Sequence, residues 1–197
     1  SAIYTQYCYD RCHVYPNTYA YYGQVIGNPT YNPFNAYQGT QMWSSLMGDP
    51  NGNSPLVRNL TLAPVELPAA SATLEFMTNY VLGVADSGQV QVSTDDGATW
   101  VTASGTVDDA PVTTFTGTAG AWRLARFDLS AYAGQTIRLR FRYEQGPAST
   151  TAGWCIDTVS ISADGTVLFS DDAETLRPEW DTGTHWRRIQ YALRWLG

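Results

Sequence analysis

The clearest strand pattern in the chain is Ile137-Arg138-Leu139-Arg140-Phe141-Arg142-Tyr143. Apolar and charged side chains alternate through it with a period of two, which is typical of a β-strand that buries one face. The arginines then lie together on the opposite face of the strand. We interpret that face as solvated, and the alternative is a contact surface for an anion or a partner.

Short runs of the same kind occur on both sides of this strand and are separated by turn residues. This spacing predicts an all-β, jelly-roll-like antiparallel sandwich. Asp96-Gly97 and Asp164-Gly165 fit tight turns, because these residue types tolerate the positive φ angles that match strand twist. The predicted strands are 56–62, 72–80, 89–93, 99–103, 122–128, 136–144, 153–162 and 166–169.

The part of the chain before these strands has a different composition. Nine of the 13 tyrosines lie within the first 37 residues, among many Asn, Pro and Gly residues and without a steady period. We expect one domain, with long Tyr/Asn/Pro/Gly-rich loops over 1–53, a sandwich core over 54–170 and a Trp-rich segment over 171–197. Residues 184–195 also fit a short amphipathic helix.

Charge and motifs exclude several classes of function. The formal net charge is −7 and all 11 basic residues are arginines, which are spread along several segments, whereas binding to nucleic acid needs clustered cations. A run of about 18 apolar residues, which a membrane span requires, does not occur. The only histidines are His13 and His185, and the sequence has no nucleophile or phosphate-loop motif. We therefore expect a protein without catalytic activity.

The cysteines indicate the compartment. Cys8 and Cys12 lie close together, and we expect a local disulfide between them, which implies an oxidising environment outside the cell. The alternative is three reduced thiols, with Cys155 as the third. A zinc site is less favoured, because Cys8, Cys12 and His13 have no fourth ligand near them.

Three phrases carry a resemblance to a known family. They are Val90-Gln91-Val92-Ser93-Thr94-Asp95-Asp96-Gly97-Ala98-Thr99-Trp100, Phe127-Asp128-Leu129-Ser130-Ala131-Tyr132-Ala133-Gly134-Gln135-Thr136 and Gly153-Trp154-Cys155-Ile156-Asp157. In this order they resemble the jelly-roll domains that follow the catalytic domain in secreted immune-inhibitor-A-like peptidases, and modules of other bacterial surface proteins. The resemblance implies an accessory, non-catalytic role, since the family's catalysis belongs to a zinc domain with a His-Glu-x-x-His motif that this sequence lacks.

Calcium is the ion that the resemblance implies, because hard cations take oxygen ligands from irregular loops. Asp157 and Glu174 are the expected ligands, and Asp171 and Asp172 could add oxygens. The family shows a second Asp after Ile-Asp, and this chain departs from that pattern with Thr158. The alternative is that these carboxylates cap turns.

The end of the chain departs from the family in its order. An acidic phrase with spaced tryptophans opens the family's sandwich, whereas Asp171-Asp172-Ala173-Glu174 and the tryptophans after it come last here. This segment either folds back onto its own sandwich, as in a permuted domain, or completes a neighbouring copy head-to-tail. Its apolar surface must be covered in both cases, since burial is worth about 25 cal/mol per Å². The expected assembly contacts are Trp180, Trp186, Leu193 and Trp195.

Two hypotheses of function follow. The first is a secreted structural or adhesion subunit that assembles head-to-tail with other copies of itself into a filament or surface layer. The second is an accessory domain of a larger secreted hydrolase with cell-surface glycan as its partner. Tyrosine rings offer an apolar face and a polar hydroxyl to such a ligand, and the candidates are Tyr21, Tyr22, Tyr31 and Tyr37.

Overall fold

The structure, a computed structural model, describes residues 4–8, 35–45, 56–147, 151–183 and 186–194, and only the backbone of 4–8 and 190–194. Two antiparallel sheets lie face to face, which confirms the predicted all-β sandwich. A single 3-10 turn, Ser130–Tyr132, is the one helical element in these ranges. None of the described residues forms a helix with the length and hydropathy of a membrane span.

Fifteen strands follow one another along the described chain. They are β1 (Tyr4–Cys8), β2 (Gln41–Ser44), β3 (Leu56–Leu62), β4 (Val65–Glu66), β5 (Ala72–Val81), β6 (Ser87–Ser93), β7 (Val101–Thr102), β8 (Gly105–Val107), β9 (Ala110–Val112), β10 (Arg123–Asp128), β11 (Thr136–Gln145), β12 (Gly153–Ala163), β13 (Thr166–Asp171), β14 (Trp180–Asp181) and β15 (Arg187–Arg194).

The two sheets divide these strands between them. The nine-stranded sheet has the order β1-β15-β2-β12-β5-β10-β8-β9, with β13 also paired to β12. The six-stranded sheet has the order β14-β3-β11-β6-β7, with β4 also paired to β11. The first and last strands, β1 and β15, therefore pair with each other, and β15 also pairs with β2.

Each predicted strand is present, with ends that differ by a few residues. The largest difference is at 99–103, where the structure has the two-residue strand Val101–Thr102. The predicted turns are also confirmed. Asp96 and Gly97 take φ angles of 56° and 92°, and Asp164 and Gly165 take 45° and 77°. These angles are in the left-handed region that Asp and Gly tolerate better than other residues.

The turn between β6 and β7 is held by one carboxylate. Thr99 donates its hydroxyl and its N–H to the Asp95 carboxylate at 2.6 and 2.8 Å, and Ser93 donates its hydroxyl at 2.7 Å. These hydrogen bonds, those from Thr99 first, lower the pKa of Asp95 to about 2. They favour the charged form, which binds more strongly to the donors.

The helix predicted for 184–195 is wrong. Arg187–Arg194 is a β-strand that pairs antiparallel with β2 on one side and β1 on the other. Non-local pairing overrides the local helical pattern here, because β2 has a free edge that β15 fills.

The core lies between the sheets, and its composition confirms the alternation predicted for 137–143 on β11. Ile137, Leu139, Phe141 and Tyr143 are at most 1% exposed. Aromatic rings fill the middle of this core, and Phe141 meets the ring of Trp154 edge-on with centroids 5.8 Å apart.

The Trp-rich segment packs into the chain's own sandwich. Trp180 is 6% exposed on β14, which pairs with β3, and Trp186 is fully buried with its ring 6.0 Å from that of Trp154. Both side chains are covered by their own chain in this structure, and their contact with a second copy stays a prediction. The Leu193 side chain and Trp195 lie outside the described residues.

Candidate functional site

The candidate site lies where β12 changes its neighbour. Along one edge β12 pairs with β5, and along the other it pairs first with β2, at Cys155 and Ile156, and then with β13 from Val159 onward. The register of the β5 pairing shifts between Asp157 and Ser160, and Thr158 has a φ of 47°. We call the residues gathered at this break, 37–43 with Asp157, Asp171 and Glu174, the junction.

Asp157 holds the beginning of the junction. Its Oδ2 accepts the N–H groups of Tyr37 at 2.9 Å and Gln38 at 3.2 Å, and its Oδ1 accepts the N–H of Thr158 at 2.7 Å. The side chain is fully buried. Burial raises the pKa of Asp157 to about 6, because the N–H donors only partly offset the loss of water and the negative charge of Glu174 adds to the rise.

Glu174 holds the next turn of the same segment. Its Oε1 accepts the N–H groups of Thr40 at 2.7 Å and Gln41 at 2.6 Å, while its Oε2 accepts the Thr40 hydroxyl at 2.9 Å. Partial burial acts to raise the pKa of Glu174, but the donors from Gln41 and Thr40 outweigh it and lower the pKa overall. Gly39 between these contacts has a φ of 66°, and a Cβ there would collide with the Glu174 carboxylate.

Asp171 connects the two ends of the chain. Its Oδ2 accepts the indole N–H of Trp43 at 2.7 Å and that of Trp180 at 2.6 Å, and its Oδ1 accepts the N–H of Ala173 at 3.0 Å. The carboxylate is buried, and each of the donors would otherwise lack a partner. These donors could not be predicted from the sequence, because Trp43 is 128 residues away from Asp171.

The structure thus brings three of the four expected calcium ligands to one junction, where each accepts N–H donors from protein. Asp172, the fourth, is exposed and accepts the N–H of Glu174 at 3.1 Å. Within the described ranges no three Asp, Glu, His or Cys side chains are placed to share a metal ion. Calcium at the junction stays a prediction. The contacts that are present are those of carboxylates that cap and anchor the segment 37–43.

A shallow cleft opens beside the junction. It has a volume of about 540 Å³, and its lining includes Gln38, Thr158, Asp171, Asp172 and Arg177. The lining is polar and mixed in charge, so the cleft offers no apolar pocket for a small-molecule ligand.

Of the tyrosines expected to contact glycan, Tyr37 is the one that the structure describes. It is 51% exposed and meets the ring of Trp122 edge-on at 6.2 Å. Tyr21, Tyr22 and Tyr31 lie outside the described residues. The glycan contact of these tyrosines stays a prediction.

The predicted disulfide also falls outside what the structure describes, because neither Cys12 nor the side chain of Cys8 is included, and His13 is outside as well. Cys155 is described as a free thiol on β12 that is 2% exposed. Burial raises the pKa of Cys155 to about 12, so this thiol stays protonated and unreactive at neutral pH.

Comparisons with known proteins agree with the fold. The family described as "Immune inhibitor A-like, MAM domain" matches residues 33–185. The chain is 33% identical over 84 residues to immune inhibitor A of Bacillus thuringiensis subsp. alesti, a match that covers 40% of this chain and 12% of that protein. It is 32% identical over 124 residues to the pre-pro-metalloprotease PrtV of Vibrio cholerae serotype O1 (strain M66-2), which covers 60% of this chain and 13% of that protein.

A third relative is bacillopeptidase F of Bacillus subtilis (strain 168), 28% identical over 138 residues, with 69% of this chain and 9% of that protein covered. The matched part of this chain thus spans only about a tenth of the length of each of these relatives.

Proposed function

Because the chain belongs to the immune inhibitor A-like MAM domain family, we propose that it works as a non-catalytic accessory module of a larger secreted peptidase. In this role it contacts a substrate, a surface or another domain, while bond cleavage is performed elsewhere in the protein. Fold alone does not define a function, so the proposal depends on the match to the accessory domain.

The observation that carries this proposal is the extent of the matches. The family match spans residues 33–185, most of the chain, whereas the relatives share with it only 9% to 13% of their own lengths. Two of these relatives have peptidase or metalloprotease in their names. A module that recurs as a small part of long proteases is typical of an accessory domain.

The geometry of the junction supports a scaffold role. The buried carboxylates Asp157 and Asp171 are occupied by N–H donors of the same chain. A general acid or nucleophile needs an accessible position beside substrate, which these groups do not have. Secretion is part of the proposal, since one relative is named a pre-pro-metalloprotease and such precursors carry export segments.

Self-assembly through the terminal segments is the alternative function, and the structure makes it less favourable. Trp180 and Trp186, two of its expected contacts, are buried in the same sandwich. Assembly through them would require the Trp-rich segment to leave this core and enter that of a neighbour.

Two measurements on the purified chain test the proposal. The first is hydrolysis of a general protein substrate such as azocasein, with and without added zinc and calcium. The second is molar mass by size-exclusion chromatography with light scattering, followed by negative-stain electron microscopy. We expect no hydrolysis and a particle of 21.7 kDa. Hydrolysis would overturn the non-catalytic role, and concentration-dependent oligomers or filaments would favour self-assembly instead.

A further inference from the structure

The arginines on the outer face of the six-stranded sheet differ in their partners. Arg138 donates its Nε to Asp96 at 2.6 Å, and Arg142 donates a terminal nitrogen to Glu144 at 2.6 Å. Each of these guanidinium groups therefore has a carboxylate as its counter-ion. Arg140 lies between them on β11 and has no carboxylate partner among the described residues.

Arg140 is held in place without being neutralised. Its Nε donates to the side-chain oxygen of Gln91 at 2.8 Å, and its guanidinium carbon lies 4.1 Å from the ring centroid of Trp100. The Gln91 amide is itself fixed, because its nitrogen donates to Gln89 at 3.0 Å and to Thr102 at 3.2 Å. The guanidinium plane is thus pre-oriented by an indole face and an amide that are both uncharged.

The outer edge of this guanidinium is open. The described residues provide no hydrogen-bond or ion-pair partner for its two terminal nitrogens, and the side chain is partly exposed. Burial lowers the pKa of Arg140, and the positive charge of Arg142 lowers it further, with no carboxylate acting in the opposite direction. The cation is therefore partly desolvated, uncompensated and rigid, which is the state in which an added anion gains most.

We propose that Arg140 anchors a binding site for an acidic glycan, with the open edge of its guanidinium receiving a uronate carboxylate. Two parallel N–H donors match the two oxygens of a carboxylate in a fork that an ammonium group cannot form. The charge complementarity is local, because the chain as a whole carries a formal charge of −7.

The neighbouring side chains favour a glycan over a peptide. β11 pairs with β3 on one side and β6 on the other, so its backbone N–H and C=O groups are already used and cannot bind an extended peptide. The register places Thr61 of β3 beside Arg140, and Gln89 of β6 beside Arg142. Amide and hydroxyl groups both donate and accept hydrogen bonds, as sugar hydroxyls do.

The role of this site in a secreted peptidase rests on the proposed accessory function. Glycan binding itself does not, since it is measured on the chain alone. Isothermal titration calorimetry at low ionic strength would use three probes of six residues each. They are a galacturonate hexamer, the neutral maltohexaose and a hexaglutamate peptide. The variants are Arg140→Gln, Arg140→Lys and, as the matched control, Arg138→Gln. Far-UV circular dichroism and thermal melting verify that each variant is folded.

We expect the galacturonate hexamer to bind and maltohexaose not to bind. Arg140→Gln should weaken binding about tenfold or more, as loss of a charge-assisted bidentate contact does. Arg140→Lys should weaken it several-fold because the charge stays but the fork is lost. Arg138→Gln should change it less than about threefold, since the charge of Arg138 is already compensated by Asp96. Absence of galacturonate binding, equal binding by Arg140→Gln, equal binding of maltohexaose, or preferential binding of hexaglutamate would each overturn the proposal.

Discussion

Removal of the Asp171 carboxylate should destabilise the fold far more than removal of an exposed carboxylate does. Its Oδ2 accepts two buried indole N–H groups, from Trp43 at the start of the sandwich and from Trp180 near its end. The change Asp171→Ala deletes the acceptor but leaves both donors in place. Each buried donor without a partner costs about 1–3 kcal/mol.

The expected size follows from these contacts. The two indole donors left without an acceptor lower the free energy of unfolding by about 2–6 kcal/mol. Part of this loss is offset, because the buried carboxylate no longer has to be desolvated. We expect a net loss of about 3 kcal/mol in the free energy of unfolding, which lowers the melting midpoint by roughly 6–12 °C for a chain of this size. Urea unfolding followed by tryptophan fluorescence and by far-UV circular dichroism measures the loss.

The matched control is Asp172→Ala, which removes the next carboxylate along the chain. Asp172 is exposed and accepts one N–H, that of Glu174, so its loss should stay below about 1 kcal/mol. If Asp171→Ala does not fold, Asp171→Asn supplies the comparison, because its amide keeps one acceptor. A loss for Asp171 that is no larger than that for Asp172 would refute the role of the junction in joining the two ends of the chain.

Three further predictions concern the junction, a turn and calcium. Gly39→Ala should destabilise the fold by about 1–3 kcal/mol, since it adds a collision with Glu174 to the strain of a positive φ. Gly134→Ala is its control, because Gly134 also has a positive φ but meets no atom within 4 Å, and equal losses in urea would contradict the contact. The low pKa of Asp95 gives stability that is complete above its unfolded pKa of about 4 and is lost as pH falls toward about 2. Asp95→Asn should therefore make the melting midpoint depend less on pH between these two values. A pH dependence equal to that of the wild-type chain would show that the Asp95 turn does not contribute to acid stability. Calcium in excess of its dissociation constant should raise the melting midpoint relative to chelator by several degrees if the junction binds it, and no shift would remove that prediction.

The regular part of the fold could be predicted because the signal was local. The alternation over 137–143 identifies both the buried and the exposed face of β11 from neighbouring residues alone. The Asp-Gly turns were also recognisable, since the backbone angles they need depend on the residue types at two positions. Each of these features is decided within a few residues of the chain.

The parts that could not be predicted depend on distant partners. Residues 187–194 have a helical pattern, and only the free edge of β2 makes them a strand. The donors of Asp171 are separated from it by 128 residues on one side and 9 on the other. The arginines of β11 are equivalent in the sequence pattern, because the carboxylate that pairs with Arg138 lies 42 residues away on a turn.

The segment after β13 completes the sandwich of its own chain, and a cross-link between β14 and β3 tests this pairing most directly. Thr61 and Asp181 are direct partners in this pairing, at a spacing that suits a disulfide. The double variant Thr61→Cys with Asp181→Cys is oxidised and run on a non-reducing gel beside the wild-type chain and an equal mixture of the two single variants. We expect a cross-linked band at the monomer mass of 21.7 kDa for the double variant and no heterodimer from the mixture. Covalent dimers that form efficiently from the mixture would contradict pairing within one chain, since they would place β14 of one chain in the sheet of another.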